Sequence, residues 1–575
     1  MNYRLIRERE EDEDALDVVL KNRGLLNEDD MAAYICANKD NIIPPAGRIK
    51  NLEKGVMMLL KHIKNNDRLY FIVDPDMDGF CACALFLNYL DKYIPSYKNY
   101  SYNFHPDKTH GIDLDLVDKD AKMVIALDSS SSNYEIHKCL YDKGIDVLVI
   151  DHHQAKKESE YACVINNQLC DYPTKSLSGA AMVFKFFQYF DKIIDDDLSS
   201  GLIDIAAASI ISDMMNLKDL ETRTIVKIGL SKLKNPLLVE MVQKNAYQIG
   251  DEITPTGIAF YVAPYINAVT RVGTQEEKRI VFDAMLSHKA YSLIPSTKRG
   301  CKGQLETVVA QALRVCTNAK NRQNKEKEQG IEKLENLMEC DGSLNHKVIV
   351  AISDTSIRST IRGLIANNLM SKYQKPCAVL SRIHKDGQYF YEGSARGFSN
   401  CDLTDFRQFC NDTDLINYAE GHKQAFGLSI PAGNLHKFIL KADAMLKDID
   451  FTPTYLVDLI NCSYYDVLHL AYNSELWGEG MPEPYVAMEN IRITKDNLTL
   501  MSKDKNPTLK ITLDNGVSCI KFKSSEEEYN RLYSDSGCVI VTLVGRCVSN
   551  EWMGKVTPQI LIDDYEIITT EEYYF

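Results

Sequence analysis

The chain has 575 residues, 45% hydrophobic and 26% charged, and a formal net charge of −15. Its length exceeds a single core and predicts three or four domains of ordinary soluble composition. The acidity argues against indiscriminate nucleic-acid binding but permits a local basic track.

The sequence holds no apolar run of membrane length, and MNYRLIREREEDEDALD has no signal-peptide core, so a cytoplasmic protein without a membrane partner is expected. Sixteen cysteines are scattered without a Cys-x-x-Cys pair, which disfavours structural zinc and fits reduced, packed thiols.

In chain order, residues 1–45 are expected to form a charged, solvated helical extension that stops at IIPPAG (42–47). From 46 to 290, strand-length apolar runs alternate with helical patterns, and RLYFIVD (68–74), KMVIALD (122–128) and DVLVID (146–151) each end in aspartate. Such alternation predicts an α/β domain with a mostly parallel sheet covered by helices on both faces. Ligands of such sheets lie beyond the carboxyl ends of the strands, so three strands deliver carboxylates to one edge.

Residues 296–328 carry eight Lys or Arg against three Glu with helical periodicity, which predicts a long connecting helix over 291–335. A solvated connector and a nucleic-acid contact are both open for it. A second α/β domain is expected over 336–448, opening at HKVIVAIS (346–353). From 449 to 575, alternating runs such as ITLDNGVSCIKFK (511–523) predict a small antiparallel β-domain.

The chemistry gathers at the strand ends. Asp74, Asp76 and Asp78 stand in VDPDMDGF, Asp128 follows the next run, and Asp151, His152 and His153 follow the third. IDIAAASIISDMMNL (203–217) presents Asp213 after an apolar helical run. Crowded carboxylates repel one another and are costly to desolvate, so a cation is expected among them. Carboxylate oxygens with one or two imidazoles and no thiolate suit Mn²⁺ or Mg²⁺ better than zinc or copper. A cluster of this size can hold two ions, and a pair about 4 Å apart would serve phosphoester hydrolysis.

The Asp-x-Asp-x-Asp-Gly stretch, the lone aspartate, Asp-His-His and the further aspartate, in this order, resemble the DHH phosphoesterase superfamily. DYPTKSLSGAAMVFKF (171–186), APYINAVTRVG (263–273), YEGSARGF (391–398), EGHKQAFG (420–427) and ELWGEGMPEPYVAMENIRI (475–493) extend the likeness to RecJ-type single-strand-specific 5′→3′ exonucleases over roughly residues 50–570. The resemblance implies a DHH domain, a DHH-associated domain and a C-terminal OB-like β-barrel.

It also implies roles. Asp76, Asp78, Asp128, His152 and Asp213 would hold metal, with Asp74 a ligand or a support for one. His153 would face the scissile phosphate, and Asp151 would orient the histidine pair. Ser394, Arg396, Lys108, Arg271 and His422 would contact the strand. Lys108 stands where relatives usually have arginine, so it supplies charge without the bidentate fork. Serines follow Asp128 where a cysteine-glycine turn is common, and Glu420 replaces a glycine.

The implied activity is hydrolysis of single-stranded DNA from the 5′ end to 5′-mononucleotides, by a monomer, in repair, recombination or replication. A single-strand-binding protein or a helicase is the candidate protein partner. Two rivals stand beside it. One is a DHH phosphoesterase for short oligonucleotides or nucleotide phosphates; the other is a non-catalytic replication scaffold, which the full ligand set disfavours.

Overall fold

The computed structural model describes the chain except residues 39–42, 106–108, 302, 502–506, 536, 553–554 and 573–575, and the side chains of 551–555 and 572. It divides into two units, one of residues 25–322 with 475–482, the other of 1–24, 323–474 and 483–575.

In the first unit the aspartate-terminated runs become neighbouring strands of a five-stranded parallel sheet. Its strands are β1 (Leu69–Val73), β2 (Tyr100–Phe104), β3 (Met123–Leu127), β4 (Asp146–Asp151) and β5 (Cys163–Asn166), in the order β2-β1-β3-β4-β5. Every pair is parallel. Each residue of β1 and β3 is buried, as expected of strands covered on both faces, so they read as continuous apolar runs.

On one face Tyr70, Ile72, Val124, Ala126 and Val149 pack with Leu140. On the other, Phe71 meets Phe86 of α1 (Met77–Tyr93) with ring centroids 5.2 Å apart. α1 is buried from Met77 through Leu90, including Cys81 and Cys83, whose thiols burial pushes up. Behind it lies α2 (Gly179–Ile194), where Phe187 packs 3.8 Å from Tyr89 and 4.8 Å from Phe86. Each such buried ring is worth roughly 1.5–3 kcal/mol of transfer free energy. α3 (Ile203–Ser212) and α4 (Ala263–Val272) complete the frame used by the site.

The second unit contains a mixed sheet of β6 (Ile349–Ser353), β7 (Cys377–Lys385), β8 (Gln388–Arg396), β9 (Tyr418–His422) and β10 (Ala425–Pro431). Its order is β9-β10-β8-β7-β6, and only β6 and β7 run parallel.

Seven further strands are β11 (Leu459–Ile460), β12 (Tyr485–Ile493), β13 (Leu498–Met501), β14 (Thr508–Thr512), β15 (Ser518–Lys521), β16 (Gly537–Trp552) and β17 (Lys555–Glu572). They are ordered β11-β12-β16-β17-β15-β14-β13, with register shifts at Met488/Ile491, Ile540/Val541 and Val544/Gly545 that twist the long strands. Most pairs of this β-domain are antiparallel, as expected, but β15 pairs parallel with β17, and β11 with β12. Long intervening segments make those crossovers possible.

Two further expectations change. The N-terminal segment is helical over Ala15–Asn22 and Glu28–Cys36, as expected, but it is not a free, solvated extension. Asn2–Leu5 is a strand pairing parallel with Thr454–Val457, and Val18, Val19 and Leu20 of the helix Ala15–Asn22 are buried. Arg23 holds the buried Asp458 carboxylate at 2.6 and 2.9 Å. Removing one partner of such a pair strands a buried charge, at a cost of roughly 3–5 kcal/mol.

The connecting helix, α5, covers Val308–Asp341 instead of starting near 291. Leu293–Pro295 and Leu305–Thr307 form an antiparallel hairpin before it, with Gly300 and Gly303 at positive φ in the turn. Among the described residues no helix is long and apolar enough to cross a membrane.

Candidate metal centre

Parallel β1, β3 and β4 end at one edge, and the chain turns there three times with an acidic residue. Asp76 caps α1 by accepting from Gly79 N–H at 3.0 Å, a normal N-cap role that also fixes its carboxylate. A Cβ on Gly79 would lie 2.5 Å from Asp74 Cβ, so glycine permits the close turn of the Asp-x-Asp-x-Asp-Gly stretch.

Asp78, one residue into α1, is clamped from below. Gly179 N–H donates to Asp78 Oδ2 at 2.6 Å and Ala180 N–H donates to Oδ1 at 2.9 Å, and the Ser209 hydroxyl also bonds to Oδ1. The amino end of α2 thus stabilises a buried carboxylate.

Asp128 adopts the left-handed region, φ +62°, after β3, and its N–H bonds to Ile150 O at 2.9 Å. A Cβ on Gly179 would come within 2.5 Å of Asp128 Cβ and Oδ1, so the Ser178-Gly179 turn is shaped around this carboxylate.

Asp151 Oδ1 accepts from the N–H groups of His152 and His153 at 2.7 and 3.1 Å and from His153 Nδ1 at 2.8 Å, while Oδ2 accepts from Ser131 N–H at 3.0 Å. Asp151 therefore orients the His153 imidazole and pins the backbone of both histidines. Burial opposes its ionisation but is outweighed by the His153 hydrogen bond and the two nearby rings, so its carboxyl sits well below the usual range. The same bond raises His153 to about 9 and leaves Nε2 of this half-exposed ring to point away from Asp151.

His152 Nε2 lies 3.1 Å from Asp128 Oδ1, 3.4 Å from Asp213 Oδ2 and 3.8 Å from Asp78 Oδ2. Asp213 reaches the group from the C-cap of α3. Burial lowers the His152 pKa, against the pull of Asp78, so a positively charged ring is not what holds these oxygens together.

Asp74 Oδ1, Asp128 Oδ1, His152 Nε2 and Asp213 Oδ2 are buried, and among the described residues none finds a hydrogen-bond partner. Orphaned buried acceptors are costly and rare, and four converging ones fit a cation. Donor atoms fall into the disjoint sets Asp74, Asp76, Asp128 and Asp78, His152, Asp213, each within 4.8 Å; Asp128, His152 and His153 form a third, overlapping set.

The electrostatics agree. Burial, reinforced by Asp78 and Asp76, lifts Asp213 to about 9 and Asp128 well above the carboxylate range. Burial also lifts Asp74 to about 6, against the pull of His110. These groups cannot all be ionised together without positive charge between them. Oxygen-rich donors with imidazole fit Mn²⁺ or Mg²⁺.

Arg271, at the end of α4, is partly buried; burial lowers its pKa and Asp76 opposes that shift, which places the guanidinium within the field of the acidic group. Lys108 lies outside the described residues.

In the second unit Ser394 and Arg396 share one face of β8. A Cβ on Gly363 would meet Arg396 Nη2 at 2.6 Å and Ser394 Oγ at 3.5 Å, so both side chains crowd that helical glycine. His422 and Glu420 are exposed on β9. Phe398, Tyr389 and Trp552 each neighbour a polar turn and are candidates to stack bases; Phe398 is buried, Tyr389 is half-exposed beneath Arg382, 4.0 Å from its ring centroid, and the Trp552 side chain lies outside the described residues.

Sequence reasoning missed His110, whose Nδ1 bonds to Asp74 Oδ2 at 2.7 Å. It also missed Ser209 and the α2 amino end beneath Asp78. His110 sits in an irregular loop with no periodicity to mark it, and its one signal is that it stands two residues from Lys108.

Residues 69–210 match the DHH family, N-terminal domain, and residues 460–564 match the RecJ OB domain. A Bacillus subtilis (strain 168) protein is 30% identical over 583 residues, covering 100% of this chain and 99% of its own length. It carries the name of an SPbeta prophage-derived single-strand DNA-specific exonuclease, YorK, which assigns that activity provisionally. The single-stranded-DNA-specific exonuclease RecJ of the same organism is 24% identical over 90% of this chain and 63% of its own length.

In fold, the chain is similar to the crystal structure of RecJ in complex with Mn²⁺ from Thermus thermophilus, with a TM-score of 0.72 at 18% identity over 96% of this chain and 75% of the other. With a full-length relative at 30% identity, and with both domain matches in RecJ order, the chain belongs to the RecJ-like DHH family.

Proposed function

We propose that this chain is a metal-dependent single-strand-specific 5′→3′ DNA exonuclease that releases 5′-mononucleotides. The observation that carries the reading is the convergence of Asp74 Oδ1, Asp128 Oδ1, His152 Nε2 and Asp213 Oδ2, buried and without hydrogen bonds among the described residues. The disjoint donor sets favour two ions, one held by Asp76, Asp128 and Asp74, the other by Asp78, His152 and Asp213. Bound there, Mn²⁺ or Mg²⁺ would polarise the scissile phosphodiester and lower the pKa of an attacking water.

The chain's own groups do the rest. Asp151 fixes His153 so that its Nε2–H is available to a phosphoryl oxygen. Arg271 supplies positive charge beside Asp76. Ser394 with Arg396 takes a phosphate group of the strand, and Lys108 and His422 add contacts along it. Direct attack by water at phosphorus is the chemistry that a carboxylate-rich site for divalent metal suits. The same reading makes the protein a cytoplasmic monomer of DNA repair, recombination or replication, with a single-strand-binding protein or a helicase as protein partner.

A small-substrate phosphoesterase would use the same metal centre, so substrate length separates the two. Turnover of a dinucleotide should fall well below that of a long single strand when kcat/KM values are compared. Equal values would make the β-domain irrelevant to substrate and favour the small-substrate enzyme.

A further inference from the structure

The basic segment 296–328 divides into the helix α5, on which two arginines are paired with glutamates, and the ribbon that precedes it. On α5, Arg314 donates to both Glu306 oxygens at 2.6 and 2.7 Å, and Arg322 reaches Glu277 at 2.7 Å. Those cations are neutralised. The part before the helix is the ribbon of Leu293–Pro295 against Leu305–Thr307, with Leu293 opposite Thr307 and Pro295 opposite Leu305.

Directly paired residues and residues two apart share a face of a ribbon. Leu293, Pro295, Leu305 and Thr307 therefore form one face, and Ile294 with Glu306 the other. The Glu306 face is fastened to α5 by Arg314, which also donates to Thr297 at 2.9 Å. Val308 and Val309 N–H tie the ribbon base to Ser292 and Ala290 carbonyls at 3.1 and 2.9 Å.

The opposite face is open. Leu293 is 64% exposed and Leu305 61%, with Tyr291 57% exposed at its edge. At the tip Lys298 and Arg299 are exposed, and among the described residues neither makes an ion pair. A held ribbon with an apolar face and an un-neutralised cationic tip is unusual on a chain of net charge −15.

We propose that this ribbon is a second contact for single-stranded nucleic acid, with Lys298 and Arg299 taking phosphates and the apolar face taking unstacked bases. A single strand offers both complements at once: a regular row of negative charge and uncovered base faces. The inference rests on the single-strand reading of the metal centre and adds a surface which that reading does not use.

The test uses the full chain, a dye-labelled oligothymidylate and EDTA to prevent cleavage, with affinity followed by anisotropy across a salt series. For Lys298→Ala/Arg299→Ala, the slope of log K against log salt should become shallower by about 1.4, two contacts at about 0.7 each. Leu293→Ser/Leu305→Ser should weaken binding several-fold with its slope unchanged. Both variants should turn over a dinucleotide like the wild type.

Wild-type slope and affinity in both variants would overturn the inference and leave the ribbon as a face for a protein partner. A wild type with no affinity for the strand would overturn the single-strand reading as well, so the two failures are distinguishable.

Discussion

Asp128→Asn is expected to abolish hydrolysis while leaving the melting temperature of the metal-free protein unchanged or raising it. Asparagine fits the left-handed conformation at this position, φ +62°, as well as aspartate does, and it keeps the side-chain shape where Gly179 leaves no spare room. What it removes is charge. Burial, with Asp78, Asp76 and Asp74 nearby, holds the Asp128 carboxyl well above its ordinary range, so without metal the group strains the fold. In the proposed site it is a metal ligand whose charge is needed. Lewis-acid stabilisation is worth several kcal/mol, so losing it should reduce kcat by roughly 10³-fold or more. Chain melting and strand cleavage measured on one preparation check both halves; a variant that cuts at more than about a tenth of the wild-type rate would remove Asp128 from the metal set.

The second large effect is a pH-dependent stabilisation by divalent metal. Asp74 is raised to about 6 and Asp213 to about 9, above the ordinary aspartate value of 3.8. A carboxyl with a raised folded pKa binds its proton more tightly folded than unfolded. Its contribution is fully present below the unfolded value and is lost as pH rises through the folded one. Metal-free protein should therefore lose stability as pH rises through about 6 and on towards about 9.

Metal competes with those same protons, so its affinity should rise over this window. Since metal binds the folded chain, the Mg²⁺-induced shift in Tm should grow with pH. Asp213→Asn should flatten the upper part of that dependence. A shift of constant size from pH 6 to 9 would mean that these carboxyls are not the metal's ligands.

The candidate metal centre was legible because its residues sit where regular patterns stop. Asp74, Asp128 and Asp151 each follow an apolar strand, and parallel strands leave no choice about which edge they share. Asp213 follows an apolar helix, so alone it reads as a helix-end carboxylate, and it joins the set only through the company of the strand-end residues.

Groups that act through the backbone were not legible. The Gly179 and Ala180 N–H groups beneath Asp78 have no sequence signature beyond a small-residue run, and His110 meets Asp74 from an irregular loop. The N-terminal segment misled for a physical reason. Its many charges mask the short apolar run Val18-Val19-Leu20, and the strand Asn2–Leu5 exists only through pairing with the distant Thr454–Val457. The ribbon before α5 was hidden inside a helical periodicity that holds only from Val308 onward.

The central claim is metal-dependent, single-strand-specific hydrolysis from the 5′ end. Its most direct test is a time course on 5′-labelled and 3′-labelled strands, single and duplex, with Mn²⁺, with Mg²⁺ and with EDTA. The expected result is immediate release of labelled mononucleotide from the 5′-labelled single strand, progressive shortening of the 3′-labelled one, little action on blunt duplex, and none with EDTA. Cleavage that persists in EDTA, or mononucleotide released first from the 3′ label, would contradict it.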